Sequence, residues 1–400
     1  MMAANESFAL LKTLRANPAM LRVRPRAGLF MAHYMSKFAV KRAGDNLILH
    51  SHLPPLTSPA YSRFVKQHLV SRLPGPSHAQ IGLTPMCPQN CAYCYNKQRK
   101  GEPMSTRTIL RVIDDLKELG VVWFGFTGGE PLLNPDLGDI TAHAATDAAV
   151  KLFTTGCGLT PVLATGLADA GMFSVAVSLN HWEAARHDAS RRYPGSFDAA
   201  LNALRVFKAV AGLHVSVSSI LDPEMTHNGD VERLLTFLES LGIDEAWLSE
   251  MKPSLDASWQ DGAAITEEER RRLVALQDAY NKRGGMTVNY LGHFEGAEQF
   301  GCNAGCKMVY VDAFGEVSPC VFLPMSFGNV RDRPLVEIVE EMRDVFPGEE
   351  RCFANRNFPL LREYAADGSL LNRQHSLAAV RRVEFGGPSE FSRRLYTRAV

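Results

Sequence analysis

Six short apolar runs, separated by amphipathic stretches, constrain this chain more than any other feature of its sequence. They stand at residues 80–83, 121–126, 150–153, 173–178, 213–220 and 243–248, and between them residues 107–119, 197–210 and 231–241 carry apolar positions at helical spacing. Short, nearly continuous apolar runs suit strands buried on both faces. Their alternation with helices predicts a parallel sheet with right-handed crossovers. Six β-α units are fewer than the eight that close a TIM barrel. The expectation is therefore an α/β fold, a partial (β/α)6 TIM-like barrel.

The chain has 400 residues, 46% of them hydrophobic, which is more than one compact unit at ordinary domain sizes. Residues 1–76 read as a basic helical N-terminal extension. Residues 29–42 and 60–72 have helical spacing with basic edges, and Pro74-Gly75-Pro76 is a linker signal. The barrel is expected over 77–285. Within it Thr266 and Glu269 form a capping-box pattern that opens one more helix. Beyond Gly285 the alternation stops. Residues 307–312 and 316–318, joined by Ala313-Phe314-Gly315, predict a hairpin in a small C-terminal domain over 286–355, followed by a basic tail over 356–400.

Charge follows the same division. Formal net charge is zero, yet residues 1–80 hold eleven Lys/Arg against two acidic residues, and residues 351–400 hold nine Arg against four. The ends are thus net +9 and +5, and the body between them is −14. No long apolar run or small-residue cleavage site marks the N-terminus as a secretion signal.

The eight cysteines are clustered: three over 87–94, three over 302–320, and one each at 157 and 352. In a large chain this pattern predicts metal binding in a reducing compartment, not disulfides, and a cytoplasmic location. Cys87, Cys91 and Cys94 follow the first strand directly, at the end of a parallel sheet where active sites form. Three thiolates on one loop can hold three irons of a cubane and leave the fourth open; a zinc knuckle or scattered thiols use the same residues. One β-α unit later comes Thr127-Gly128-Gly129-Glu130-Pro131. Its glycines let backbone approach closely, and Glu130 offers a carboxylate to an ammonium group.

With these motifs the chain resembles the radical S-adenosylmethionine (SAM) superfamily, closely over residues 79–250 and more loosely to about residue 352. The triplet has the family's three- and two-residue gaps, and Tyr93 is the family's aromatic before the last cysteine. The resemblance implies that Cys87, Cys91 and Cys94 bind a [4Fe-4S] cluster and that SAM chelates its open iron. It implies that Gly128, Gly129 and Glu130 hold the SAM amino group, and that Tyr93 lies by the adenine through backbone contacts. Residues 246–251 end the sixth strand, where the family backs the adenine. Ser178 fits a ribose or carboxylate contact. Arg191 matches the family's arginine, a partner for the SAM carboxylate, with a solvated helix-end arginine as the alternative. Asn180-His181 departs from the Asp-Gly usual in peptide-modifying members. Cys157 reads as an inert buried thiol, with a pocket-facing hydrogen-atom donor as the alternative.

Cys302, Cys306, Cys320 and Cys352 can complete a second cubane without an open iron; a four-cysteine zinc site has the same arithmetic. The Gly315-x-x-x-x-Cys320 pattern and Gly328-Asn329 resemble the twitch or SPASM-type extension of radical SAM enzymes. A full SPASM extension carries seven cysteines for two clusters, so four imply one auxiliary [4Fe-4S] cluster. Without Cys352 that cluster has an open iron for substrate.

The resemblance implies reductive cleavage of SAM to a 5′-deoxyadenosyl radical, which abstracts hydrogen from substrate, and an external electron donor of flavodoxin or ferredoxin type. The stretch from Ser178 to Phe197 leans toward a peptide or protein side chain as substrate. The basic extension over 1–75 suits an acidic peptide, or peripheral contact with the inner membrane face and a lipid or other small-molecule substrate; packing on the acidic body is the plain alternative. A zinc-bearing nucleic-acid-binding protein would share the basic ends, but it leaves Gly-Gly-Glu-Pro unexplained, and no nucleic acid is expected.

Overall fold

The computed structural model describes residues 11–253, 255, 265–365 and 368–396. A hairpin of β1 (Lys41–Ala43) and β2 (Asn46–Ile48) precedes the main sheet. The six expected strands are β3 (His78–Gly82), β4 (Trp123–Thr127), β5 (Ala149–Thr154), β6 (Ser174–Ser178), β7 (His214–Leu221) and β8 (Glu245–Glu250). They pair in that order and all in parallel. Every residue of β4 and β8 is buried, as strands covered on both faces require. The helices Thr106–Glu118 and Ser196–Lys208 face this sheet through Ile109, Val112, Ile113, Leu116 and through Ala203, Leu204, Phe207.

Two features extend the six-strand expectation. The alternation does not stop at Gly285: β9 (Thr287–Tyr290) lies parallel to β8. Its four residues are half polar, and the preceding helix, Glu267–Arg283, docks by hydrogen bonds more than by apolar stripe. Asn281 exchanges bonds with the Val288 backbone (2.9 and 2.8 Å), and Gln277 Oε1 accepts from Tyr290 N at 2.8 Å. The helix does open on the Thr266–Glu269 capping box. At the other edge, β10 (Met308–Val311) and β11 (Val317–Ser318) form the expected hairpin. However, β10 also pairs in parallel with β3, so the hairpin is built onto the main sheet. The sheet order is β11-β10-β3-β4-β5-β6-β7-β8-β9.

The described part of the N-terminal extension is packed against the rest of the chain. Phe30 and Tyr34, on the helix Pro25–Met35, meet Phe300, with ring centroids 5.5 and 4.8 Å away, and Phe391 closes the cluster 4.9 Å from Phe300. The two basic ends thus come together, and Arg63 and Lys37 pair with Asp147 and Asp278 of the acidic body. The expected helix over 60–72 runs from Pro59 to Phe64 and widens into π-type turns over Val65–Val70.

His50, Ser51 and His52 enter the barrel at the N-terminal ends of the strands. Ser51 N donates to Glu245 Oε2 (2.9 Å), Lys151 Nζ donates to Ser51 Oγ (2.5 Å), and Trp123 Nε1 donates to Ser51 O (3.0 Å). Burial opposes the Glu245 charge, but His214, Lys151 and His50 outweigh it and hold its pKa well below the usual carboxylate range. The His52 ring is stacked between Trp247 (3.5 Å) and Trp123 (5.4 Å). This plug closes the end of the barrel opposite the first cysteine loop.

Buried histidines in the plug and on neighbouring elements should make the fold acid-sensitive. Burial lowers His50, His68 and His78 to about 4, so these rings are neutral in the fold while the unfolded chain protonates them near pH 6.5. Their stabilisation is complete above pH 6.5 and is lost as pH falls toward 4. Each should remove about 2 kcal/mol of stability between pH 7 and pH 5. Urea midpoints stepped through this range test it; a flat profile would contradict the buried neutral histidines.

Candidate active site

The first cysteine loop leaves β3 at Gly82 and is bound to the loop that leaves β4. Gly129 N donates to Thr84 O and Glu130 N to Met86 O, both at 2.7 Å. A Cβ at Gly129 would lie 2.1 Å from Met86 O, and one at Gly128, whose φ is +114°, would lie 2.7 Å from Thr84 O. The two glycines therefore serve first to let the cysteine loop pass. Further along this loop, Asn96 Nδ2 donates to Gly128 O, Tyr95 OH bonds Thr127 Oγ1 at 2.7 Å, and Asn90 N donates to Arg191 O at 3.1 Å.

Glu130 does not offer a free carboxylate. Oε1 accepts from Leu132 N (3.0 Å) and Thr154 Oγ1 (2.7 Å), while Oε2 accepts from Thr155 N (2.6 Å) and Thr155 Oγ1. The side chain is fully buried. Burial raises its pKa, and the Thr155 and Thr154 bonds oppose that. It organises the ends of β4 and β5.

Arg191 is buried, not solvated. Its Nη2 donates to Asn180 Oδ1 at 3.2 Å, its guanidinium lies 5.7 Å from the Tyr93 ring centre, and its buried Nε has no partner among the described residues. Asn180 also donates to Tyr93 OH at 2.7 Å and accepts from Ile220 N at 3.2 Å. Burial pushes the Tyr93 hydroxyl up to about 12, so it keeps its proton. The departure from Asp at position 180 now has a physical sense. An amide accepts from Arg191 without neutralising it, which leaves the guanidinium charge for an anionic ligand.

One cavity of about 520 Å³ joins these groups to the second cysteine set. Its wall includes Cys87, Cys91, Cys94, Tyr93, Gly128, Gly129, Ser178 and Arg191, and also Cys302, Cys306, Cys320 and Cys352. His52 of the plug, Phe153 and Trp247 line it as well. Cys157 is half-buried beside Gln89, with Nε2 3.9 Å from Sγ, and is not part of this wall.

In the second set, Cys302 Sγ accepts from Phe353 N at 3.5 Å, and Cys352 stands at the N-cap position of the helix Phe353–Tyr364; burial raises the pKa of both thiols. Burial raises the pKa of Cys302 and Cys320, and the neighbouring Cys352 and Glu295 add to it. Cys306 stands nearer Lys307 and Arg343, and its Sγ lies 3.3 Å from where a Cβ at Gly348 would sit. Among the described residues no three or more His, Cys, Asp or Glu side chains close on a single-ion position.

Arg99 ties the two halves together. It is 2% exposed, and its Nη1 donates to Asp312 Oδ2 (3.1 Å) and Ser318 Oγ (3.0 Å), while Nη2 donates to Leu323 O (3.0 Å). Sequence reasoning missed Arg99, because a basic residue after a cysteine motif carries no sign of its distant partner. It missed Lys252 too. Lys252 Nζ donates to Glu295 Oε2 at 2.9 Å and to Cys352 Sγ at 3.3 Å. Burial works against its charge, but Cys352, Glu295 and Glu250 outweigh it and keep the ammonium protonated.

The Radical SAM superfamily profile matches residues 81–238, and that of the SPASM iron–sulfur cluster-binding domain matches residues 302–359. The chain carries a radical SAM domain followed by a SPASM domain. It is 29% identical to the AdoMet-dependent heme synthase of Methanosarcina barkeri, over 64% of this chain and 80% of that one. It is 27% identical to the PqqA peptide cyclase of Methylocella silvestris, over 64% and 72%. Streptococcus suis SuiB bound to the precursor peptide SuiA has a similar fold, with a TM-score of 0.53 at 14% identity, over 70% of this chain and 67% of that one. As a radical SAM enzyme with a SPASM domain, the chain uses a [4Fe-4S] cluster, SAM and an auxiliary cluster. The residues present fit these groups: a three-thiol loop, an unpartnered buried guanidinium nitrogen beside it, and four further thiols across the same cavity.

Proposed function

We propose that this radical SAM enzyme modifies a peptide or protein side chain in the cavity shared by its two cysteine sets. That shared wall is the observation that carries the reading. Cys87, Cys91 and Cys94 would hold the SAM-binding cluster, and Cys302, Cys306, Cys320 and Cys352 the auxiliary one. The chemistry these cofactors supply is reductive cleavage of SAM to a 5′-deoxyadenosyl radical that takes hydrogen from substrate. The chain's own work is to bind, orient and exclude water. Arg191 meets the SAM carboxylate, Ser178 the ribose or carboxylate, and backbone around Gly128 and Gly129 the amino group. Asn180 positions Arg191 and Tyr93. The plug at His50–His52 seals the far end of the barrel. Two named similar proteins, a peptide cyclase and a structure with its precursor peptide, support a peptide substrate. An external flavodoxin or ferredoxin-type protein would deliver the electron in a reducing cytoplasm.

The test is to search the neighbouring genes for a short precursor-peptide frame, incubate the reconstituted enzyme with SAM, dithionite and the candidate peptides found, then read the peptide mass. Loss of two hydrogens or a new crosslink is expected, with 5′-deoxyadenosine formed in proportion. An unmodified peptide together with a modified lipid would reverse the substrate assignment. One observation favours that second reading: Leu11, Leu21 and Leu29 of the basic extension are 67%, 81% and 70% exposed. Among the described residues no helix is long and apolar enough to cross a membrane, so such contact would be peripheral. Flotation with anionic liposomes, comparing the full chain with a Leu21→Glu, Leu29→Glu variant, decides it without disturbing the plug.

A further inference from the structure

Lys252 follows β8 and Glu295 follows the short helix Leu291–Phe294, so two elements of the main fold place opposite charges beside Cys352. The Lys252 side chain is 3% exposed and Glu295 is 17% exposed. A buried ammonium needs its charge answered, and here two groups answer it: the Glu295 carboxylate at 2.9 Å and the Cys352 sulfur at 3.3 Å. The other nearby carboxylate is already engaged. Glu250 accepts from Arg270 Nε and Nη2 (2.8 and 2.9 Å), Tyr290 OH (2.6 Å) and Asn355 Nδ2 (3.1 Å). Glu250 thus acts on Lys252 only through its charge, and the direct contacts of the ammonium are Glu295 and Cys352.

We propose that Lys252 and Glu295 are an opposed pair of positioning residues that sets the reduction potential of the auxiliary cluster through the sulfur of Cys352. The inference rests on the reading that Cys352 and its partners hold that cluster. Hydrogen bonds and charge at ligating sulfurs are among the main levers on iron–sulfur potentials. A cation donating to the sulfur favours the reduced, more negative cluster. Glu295 moderates this by sharing the same ammonium. Lys252 also fixes the Cys352 side chain before metal arrives, since it holds Sγ from the barrel side while the helix Phe353–Tyr364 holds its backbone.

The opposed charges make the test directional. Potentiometric titration of the reconstituted full-length protein, followed by EPR of each cluster, gives the auxiliary midpoint. Lys252→Met should shift the one-electron equilibrium about tenfold toward the oxidised state, a fall of about 59 mV. Glu295→Gln, which keeps a hydrogen-bond acceptor and removes the charge, should shift it upward. Lys252→Arg should restore most of the wild-type value. A purely structural role would not give opposite signs. Two fully loaded clusters whose potentials do not move, or move the same way in both variants, overturn the inference alone. A wild-type protein with one cluster's iron and one cluster's EPR signal overturns the auxiliary-cluster reading, and the inference with it.

Discussion

A Cys94→Ala variant is expected to form no 5′-deoxyadenosine from SAM and dithionite, while keeping its fold. Cys94 sits half-buried on the loop between β3 and the helix Thr106–Glu118, outside the apolar core. Its removal takes away one of three thiolates and leaves the strand ladder of β3 and β4 intact. A cubane held by two protein ligands and SAM is not retained, so iron should fall from roughly eight to roughly four per chain. Melting temperature should change little, because substitutions away from packed or paired groups usually stay within about ±0.5 kcal/mol. Cys157→Ala is the internal control. Its thiol lies off the cavity wall, so iron content and SAM cleavage should match wild type. Cleavage by the Cys94→Ala variant would show that the SAM-binding cluster is held elsewhere.

Much of this site was legible because it is encoded locally. The triplet, its two gaps and the Gly-Gly-Glu that follows are contiguous motifs, and the β-α alternation places both at the same end of the sheet. What local reading could not supply was partnership across the chain. Glu130 looked like a free carboxylate because Thr154 and Thr155, which saturate it, belong to the next β-α unit. Asn180 looked like a lapse from the family pattern until its contacts to Tyr93 and Arg191 gave it a role. The seventh parallel strand was hidden because its helix docks through Gln277 and Asn281, polar residues that dilute the apolar period. The extension's role was hidden for a related reason. His50-Ser51-His52 has no periodic signature, and its partners Trp123, Lys151 and Glu245 are single residues on three separate strands.

The second large effect is expected at Gly129, where alanine should abolish loading of the SAM-binding cluster with the fold retained. Gly129 has no positive φ, so the case rests on contact alone. An added Cβ would lie 2.1 Å from Met86 O, 2.6 Å from Met86 C and 2.8 Å from Pro85 O. These are backbone atoms, and no rotamer can move them aside. Relief requires the cysteine loop to lift, which breaks the bonds from Gly129 N to Thr84 O and from Glu130 N to Met86 O. Leaving such buried groups unpaired costs about 1–3 kcal/mol each, a loss the sheet can absorb because the Gly82–Thr127 register lies below the break. The displaced loop no longer presents Cys87 opposite Cys91 and Cys94. Iron should therefore fall by about half, as in Cys94→Ala, but with a lowered melting temperature that Cys94→Ala does not show. Gly138→Ala is the matched control, since a Cβ there meets nothing within 4 Å and alanine favours its helix. The two readouts also separate the roles a glycine can have beside a ligand. Normal iron with a raised KM for SAM would assign Gly129 to the ligand, whereas lost iron assigns it to the loop that carries the cysteines.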